Sequence, residues 1–299
     1  MSRKLSYIIN TADLPATLRG YLRRHGYSEK LLTQLRQKDL VRVNGKIHRL
    51  IDPVAAGDQV EVLLCDDRPP LTPNPTLKLD ILYEDDDLLA VNKPAGMLVH
   101  PAGRGFDDAI ANFCAARYPE QLFRPLGRLD RNTTGVCLIA KNNLAAATLV
   151  GKIEKYYLAL AEGLLEQEEE IIDAPLLRLP GSTIQRKVDP AGQPSQTRFW
   201  RLASLPQLGP RGHSWLRLQL LTGRTHQIRA HLAYLGHPLA GDSLYGGSDE
   251  FIQRHALHCA ELRFHQPISG EPIRIVSPLP KDMADLLGRY QLTEQKEKD

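Results

Sequence analysis

The sequence predicts an α+β protein in two parts: a small N-terminal unit of two helices and short strands, and a larger domain around a mixed, largely antiparallel sheet. Three observations carry this. Residues 66–76, Asp-Asp-Arg-Pro-Pro-Leu-Thr-Pro-Asn-Pro-Thr, hold four prolines and almost no hydrophobic side chain, the composition of a stiff linker. Ahead of them, helical spacing of apolar residues gives way to alternation around an Asn-Gly turn. Beyond them, strand-like runs follow one another with helices interspersed unevenly, unlike the strict alternation of a doubly wound sheet. The boundaries read 1–65 for the first unit, 66–76 for the linker, 77–290 for the second domain and 291–299 for a charged tail expected to be disordered. A chain of 299 residues can bury one large core and a second small one.

In the first unit, Leu18, Tyr21 and Leu22 lie at helical spacing, and Gly26 is a natural stop. Ser28 can cap a second helix whose apolar positions are Leu31, Leu32 and Leu35. The polar faces are basic: Arg19, Arg23 and Arg24 on the first helix, Lys30, Arg36 and Lys38 on the second. Leu40-Val41-Arg42-Val43 alternates into Asn44-Gly45, a two-residue hairpin signal, and Lys46-Ile47-His48 returns. A turn from Asp52-Pro53 to Gly57-Asp58 leads into a strand over 59–64.

In the second domain, strands are expected at 79–83, 88–92, 136–140, 157–161, 197–203, 215–221 and 273–276. Helices are expected at 107–117, 143–152 and 225–235.

Composition narrows the function. At 42% hydrophobic and 24% charged, with no run of 18 apolar residues and no apolar N-terminal leader, the chain reads as a cytoplasmic protein with no membrane span. Cys65, Cys114, Cys137 and Cys259 are scattered without a Cys-x-x-Cys pair, so they read as small core residues and not as a zinc cluster or disulfides. Residues 1–65 carry 11 basic against 6 acidic side chains, a net of +5, within a chain whose total is +3. Positive charge concentrated at one end suits a partner with phosphates.

The most chemically charged segment is Gly127-Arg128-Leu129-Asp130-Arg131-Asn132-Thr133-Thr134-Gly135, which sets one carboxylate between two arginines before an apolar strand. Positive neighbours favour the ionised form of Asp130, and Thr133-Thr134-Gly135 can close a turn that displays it.

Residues 14–64, with basic helices followed by Val-Arg-Val-Asn-Gly-Lys and Gly-Asp-Gln-Val-Glu-Val, resemble the α-L RNA-binding module of a small-subunit ribosomal protein. Four later segments resemble the RluA-type pseudouridine synthases, RNA uridine isomerases. They are Leu89-Ala90-Val91-Asn92-Lys93-Pro94-Ala95-Gly96-Met97-Leu98-Val99-His100, the Arg-Leu-Asp stretch running to Lys141, Lys155-Tyr156-Tyr157-Leu158-Ala159, and Leu221-Thr222-Gly223-Arg224-Thr225-His226-Gln227-Ile228-Arg229-Ala230-His231 with its continuation to Gly246. Arg186-Lys187-Val188 and the closing Ser277-Pro278-Leu279-Pro280-Lys281-Asp282 match more weakly. The resemblance runs from about 77 to 290.

The resemblance implies a pseudouridine synthase acting without cofactor or metal on structured RNA; the basic first unit favours ribosomal RNA over transfer RNA, a monomer is expected, and the alternative is a non-catalytic RNA-binding ribosome-assembly factor. It marks Asp130 as the essential carboxylate, nucleophile toward the anomeric carbon or base on the ribose. Arg229 is its guanidinium partner, and Tyr157 the tyrosine that stacks on uracil and helps remove the carbon-5 proton. Strand alternation puts Tyr156 on the other face. Arg128 matches the residue that fills the gap left by the flipped base. The basic helical residues would lie against RNA phosphates, and Arg224 and Gln227 would contact RNA or brace the fold. His226, His231 and His237 are expected to be structural, as is the Lys93-Pro94-Ala95-Gly96 turn. In one departure, Gly127 stands where the family often has His.

Overall fold

The computed structural model describes residues 3–64, 71–101, 107–182 and 184–289. Cys65, the first half of the predicted linker and the predicted tail lie outside them; residues 71–76 run as coil and turn.

In the first unit, four antiparallel strands form a sheet in the order Arg3–Ile8, Gln59–Leu64, Val41–Val43, Lys46–Ile47. Helix α1 (Leu18–Arg24) starts where Thr17 accepts from the Gly20 N–H, and α2 (Glu29–Gln37) where Ser28 accepts from Leu31 N–H, each satisfying an orphan donor of the first turn. Gly26, at φ +85°, supplies the left-handed residue after α1. Leu18, Leu22, Leu32, Val60 and Val62 are fully buried between helices and sheet. The Arg3–Ile8 strand has no counterpart in the sequence reading, because only Leu5 of its six side chains is buried and the alternation signal is nearly absent.

The second domain is built on a ten-stranded sheet. Its main path runs Glu169–Asp173, Gln196–Leu205, His213–Leu220, Glu154–Glu162, Leu257–His265, Thr134–Ala140, Leu88–Lys93, Asp80–Glu84. Pro272–Val276 and Arg124–Pro125 pair at its flanks. Every pairing is antiparallel except that of Thr134–Ala140 with Leu257–His265. That parallel contact sits at the centre and spans only Thr134↔His258 and Gly135↔Cys259. A β-carbon at Gly135 would lie 2.1 Å from the Cys259 carbonyl oxygen, so only glycine lets the two backbones meet.

Both faces of the sheet are packed. Along Glu154–Glu162, Tyr157, Ala159 and Ala161 face the core that holds Leu218, Ile228 and Leu232. Leu158 and Leu160 face the other side, where α6 (Lys281–Gly288) lays Met283, Leu286 and Leu287. Helix α3 (Ile110–Arg117) covers Leu89, Val91 and Ile139. Helix α4 (Asn143–Leu149) joins the units: Ala145 and Leu149 enter the main core while Leu144 enters that of the first unit. Nearby, Arg3 pairs with Asp86 at 3.0 Å and Asp87 at 3.3 Å.

The sequence reading misses the Leu257–His265 strand and α6. Buried His258 and Glu261 break the apolar pattern of that strand. The predicted helices are shorter than read: α3 starts at Ile110, α4 ends at Leu149, and α5 (Gln227–Tyr234) starts two residues late because His226 adopts a left-handed backbone at φ +56°. No helix among the described residues is long and apolar enough to cross a membrane.

Candidate active site

Asp130 lies in a turn closed by the Thr133 N–H on its carbonyl at 3.1 Å, just before the central strand Thr134–Ala140. Its carboxylate opens into a cleft with an empty volume of about 360 Å³, whose walls include Arg128, Tyr157, Arg224, His226 and Arg229. Helix α5 brings Arg229 to it from 99 residues away: Nη1 donates to Asp130 Oδ2 at 3.2 Å. The other side of the same guanidinium is held by Asp242, with Nε on Oδ2 and Nη2 on Oδ1, both at 2.7 Å. This planar fork is a geometry that lysine cannot reproduce. Burial opposes the charge on Arg229, but the bonds and charges of Asp242 and Asp130 outweigh it and raise its pKa. Asp242 itself is 2% exposed, so it and Arg229 form a buried support under the Asp130 carboxylate.

The expectation that Arg128 and Arg131 frame the acid is corrected here. Arg131 turns away and donates to the Gly96 carbonyl at 2.9 Å. Arg128 is exposed at the cleft wall. The ion pair on Asp130 comes from Arg229.

Tyr157 is buried and reaches the cleft, whereas Tyr156 points to the opposite face between Arg217 and Arg263, 4.6 and 5.1 Å from its ring centre. Burial, with smaller effects from Cys259 and Asp130, pushes the Tyr157 hydroxyl well above its ordinary pKa. It is a phenol at any physiological pH.

The structure also brings in His226, which the sequence reading sets aside as structural. Its Nε2 is 3.6 Å from Asp130 Oδ2, and Nδ1 is 3.2 Å from the Tyr245 hydroxyl. Burial lowers its pKa, so the ring is neutral near pH 7. Its left-handed backbone, uncommon outside glycine, is what turns the ring into the cleft at the head of α5. By contrast, His231 is buried with bonds to Thr197 and Ala174, and His237 bonds the Glu162 carbonyl.

Gln227 has no capacity left for RNA. Its carbonyl accepts from Thr222 Oγ1 and the Arg224 N–H, and its amide donates to Gln196 O and Thr197 Oγ1, all within 3.0 Å. It braces the loop ahead of α5, the second of the two roles the sequence leaves open for it. Arg224 is exposed and lines the cleft, with Nε on the Pro194 carbonyl at 3.3 Å.

Two lysines support the Asp130 turn. Lys93, fully buried, donates to the carbonyls of Pro94, Met97 and Arg131 at 2.7 to 2.8 Å, and burial pulls its pKa down to about 8. Lys155 donates to the Leu126 carbonyl at 3.1 Å. A β-carbon at Gly127 would lie 2.2 Å from the Lys155 ammonium, so in this chain the lysine occupies the space an imidazole there would need.

On the first unit, Lys30, Arg36 and Lys38 are exposed along α2. Arg19 and Arg23 converge on Glu29, and Arg24 caps the Asp13 carbonyl. Among the described residues no group of three or more His, Cys, Asp or Glu could hold a metal ion.

Comparison with known proteins matches residues 87–234 to the RNA pseudouridylate synthase family, a span that contains Asp130, Tyr157 and Arg229. The chain is 34% identical to the ribosomal large subunit pseudouridine synthase D of Haemophilus ducreyi over 97% of each protein. It is 41% identical to an uncharacterized RNA pseudouridine synthase of Bacillus subtilis over 71% of this chain and 72% of that one. Among solved structures, human RNA pseudouridylate synthase domain containing 1 superposes with a TM-score of 0.57 at 26% identity, covering 76% of this chain and all of that one. Motif order, the mixed sheet, and a carboxylate paired with arginine in an open cleft agree with these likenesses: the chain belongs to the RNA pseudouridylate synthase family and is an isomerase that acts on RNA.

Proposed function

We propose that this enzyme converts uridine to pseudouridine in ribosomal RNA, in the cytoplasm, as a monomer without metal or cofactor, and that Asp130 is its essential group. The observation that carries the site assignment is the Asp242–Arg229–Asp130 chain ending in the cleft. The ribosomal target is supported by the name of the Haemophilus ducreyi relative, a ribosomal large subunit pseudouridine synthase, and by the basic first unit; a transfer RNA target is the alternative outcome.

The reaction breaks the bond from N1 of uracil to the ribose, turns the freed base and rejoins it through carbon 5. One proton leaves carbon 5 and one is gained at N1, with no net oxidation or hydrolysis. A carboxylate can attack the anomeric carbon or take a proton from the ribose, and both roles need it ionised. Arg229 supports that state with a guanidinium that Asp242 prevents from swinging away. Tyr157 offers its ring to the base and, being a phenol, can take the carbon-5 proton as its own hydroxyl proton passes to N1, so that no phenolate stands free. Extruding the uridine costs a few kcal/mol. Arg128, exposed at the cleft wall, fills the gap it leaves. Arg19, Arg23, Arg24, Lys30, Arg36 and Lys38 hold the RNA by its phosphates.

Chemical mapping of pseudouridine in total RNA from cells with and without this protein tests the proposal. One or more ribosomal sites should vanish on deletion and return with the wild-type chain but not with Asp130→Asn. Loss confined to transfer RNA would move the target, and loss of no site would refute it.

A further inference from the structure

Three successive residues after Asp130 are each held by a side chain from the segment leading into the Leu257–His265 strand or from the start of that strand. Arg254 Nη1 donates to the Asn132 carbonyl at 3.1 Å, Thr133 Oγ1 is 2.8 Å from His255 Nε2, and Thr134 Oγ1 is 2.9 Å from His258 Nδ1. Burial holds both histidines neutral, with pKa values of about 2 and about 4. Arg254 is therefore the charged member of this row, and it is 7% exposed. The same Nη1 also reaches the carbonyls of His255 and Leu257, at 3.1 and 3.2 Å. Its remaining two nitrogens form a fork on Asp282, Nε to Oδ2 at 2.7 Å and Nη2 to Oδ1 at 2.9 Å. Asp282 stands in the first turn of α6 and also accepts from the Met283 N–H at 2.8 Å.

We propose that Arg254, aimed by Asp282, is a positioning residue for the reaction: the pair carries the placement of α6 to the backbone two residues past Asp130. This gives the closing Pro280-Lys281-Asp282 motif a role in the active site, although it lies on the far side of the sheet. The proposal rests on the assignment of Asp130 as the essential carboxylate. A guanidinium fork fixed at one end by a carboxylate has little freedom at the other, so the Asn132 carbonyl, and the turn it belongs to, inherit the orientation of Asp282. Misplacement of a reacting group by about 1 Å can cost on the order of a hundredfold in rate. The turn is therefore a place where a remote carboxylate can matter to chemistry without touching RNA.

The test is steady-state kinetics on an RNA substrate with Asp282→Asn, Arg254→Met, their double mutant, and Leu286→Ala, which loosens the packing of α6 without touching the fork. Asp282→Asn should lower kcat about tenfold with KM unchanged within about twofold. The double mutant should be no slower than Arg254→Met alone, since both remove one unit. Leu286→Ala, compared at a temperature where all variants are folded, should keep wild-type kcat. Equal loss in Leu286→Ala and Asp282→Asn, wild-type kcat in Asp282→Asn, or additive losses in the double mutant would each overturn the proposal. If Arg254→Met does not fold, Asp282→Asn against Leu286→Ala still decides. A wild-type chain that forms no pseudouridine would instead refute the functional reading.

Discussion

Arg229 Nη1 sits 3.2 Å from Asp130 Oδ2 while its other two nitrogens are clamped by Asp242. The Asp130–Arg229 ion pair is thus the exposed end of a buried one. Asp130 is still partly solvated, its side chain 18% exposed, whereas Asp242 and Arg229 are nearly sealed. The arrangement gives the carboxylate a fixed partner and leaves it open to a nucleotide.

Replacing Asp242 with Asn should therefore be costly twice over. Breaking a buried pair leaves the Arg229 charge to the weaker, partly exposed Asp130 contact, a loss of about 3 kcal/mol in stability. Activity should fall by more than about tenfold, because Arg229 is no longer aimed at Asp130. Chemical denaturation and single-turnover pseudouridine formation measure the two effects separately.

Gly135→Ala should be among the most damaging small substitutions in the chain. Its new methyl would meet the Cys259 backbone at 2.1 Å, and the residue sits at φ +110°. Forcing apart the one parallel contact of the sheet should cost about 3 kcal/mol or more. Gly288→Ala, with nothing within 4 Å of the added methyl, is the control and should melt near wild type.

Acid should destabilise the fold because buried histidines, His258 and His255, must take up protons. His258 is buried between Thr134 and Ser277, and burial lowers its pKa from 6.5 to about 4. Below pH 6.5 the unfolded chain takes a proton that the folded chain refuses. Stability accordingly falls as pH drops from 6.5 toward 4, by about 3 kcal/mol from this group. Urea unfolding at pH 7, 6, 5 and 4.5 should show that slope together with the one from buried His255, and His258→Gln should reduce the sum without abolishing it.

Reversing charge on α2 should weaken RNA binding without touching chemistry. A Lys30→Glu, Arg36→Glu, Lys38→Glu triple variant should raise KM with kcat near wild type, and reduce the dependence of affinity on salt. Filter binding across a salt series checks this; an unchanged slope would remove α2 from the RNA interface.

Much of this was legible in the sequence because local signals agreed with the fold: Gly26 ends α1 in a left-handed turn, Ser28 caps α2, and the alternation over 59–64 became a strand with Val60, Val62 and Leu64 buried. Asp130, Arg229 and Tyr157 were reached through their motifs, and the structure brings them to one cleft. What could not be read was whatever depends on long-range pairing. Asp242 lies in a loop where nothing local marks it as the anchor of Arg229. His226 looked structural because its left-handed backbone has no sequence signature outside Gly and Asn. The Leu257–His265 strand is hidden because its buried polar residues are satisfied from elsewhere, His258 by Thr134 and Ser277, Glu261 by Arg263 and Arg274. Arg131, adjacent to the acid in sequence, was given a role that the turn geometry assigns to a residue on α5.

The most direct test of the central claim is single-turnover pseudouridine formation by Asp130→Asn on an RNA that the wild-type enzyme modifies, with RNA affinity measured in parallel. Asparagine keeps the size and hydrogen-bonding reach of the side chain but cannot act as a nucleophile or base in the required way. Product should be undetectable while binding stays within about threefold of wild type. Turnover at the wild-type rate in that variant would contradict the account.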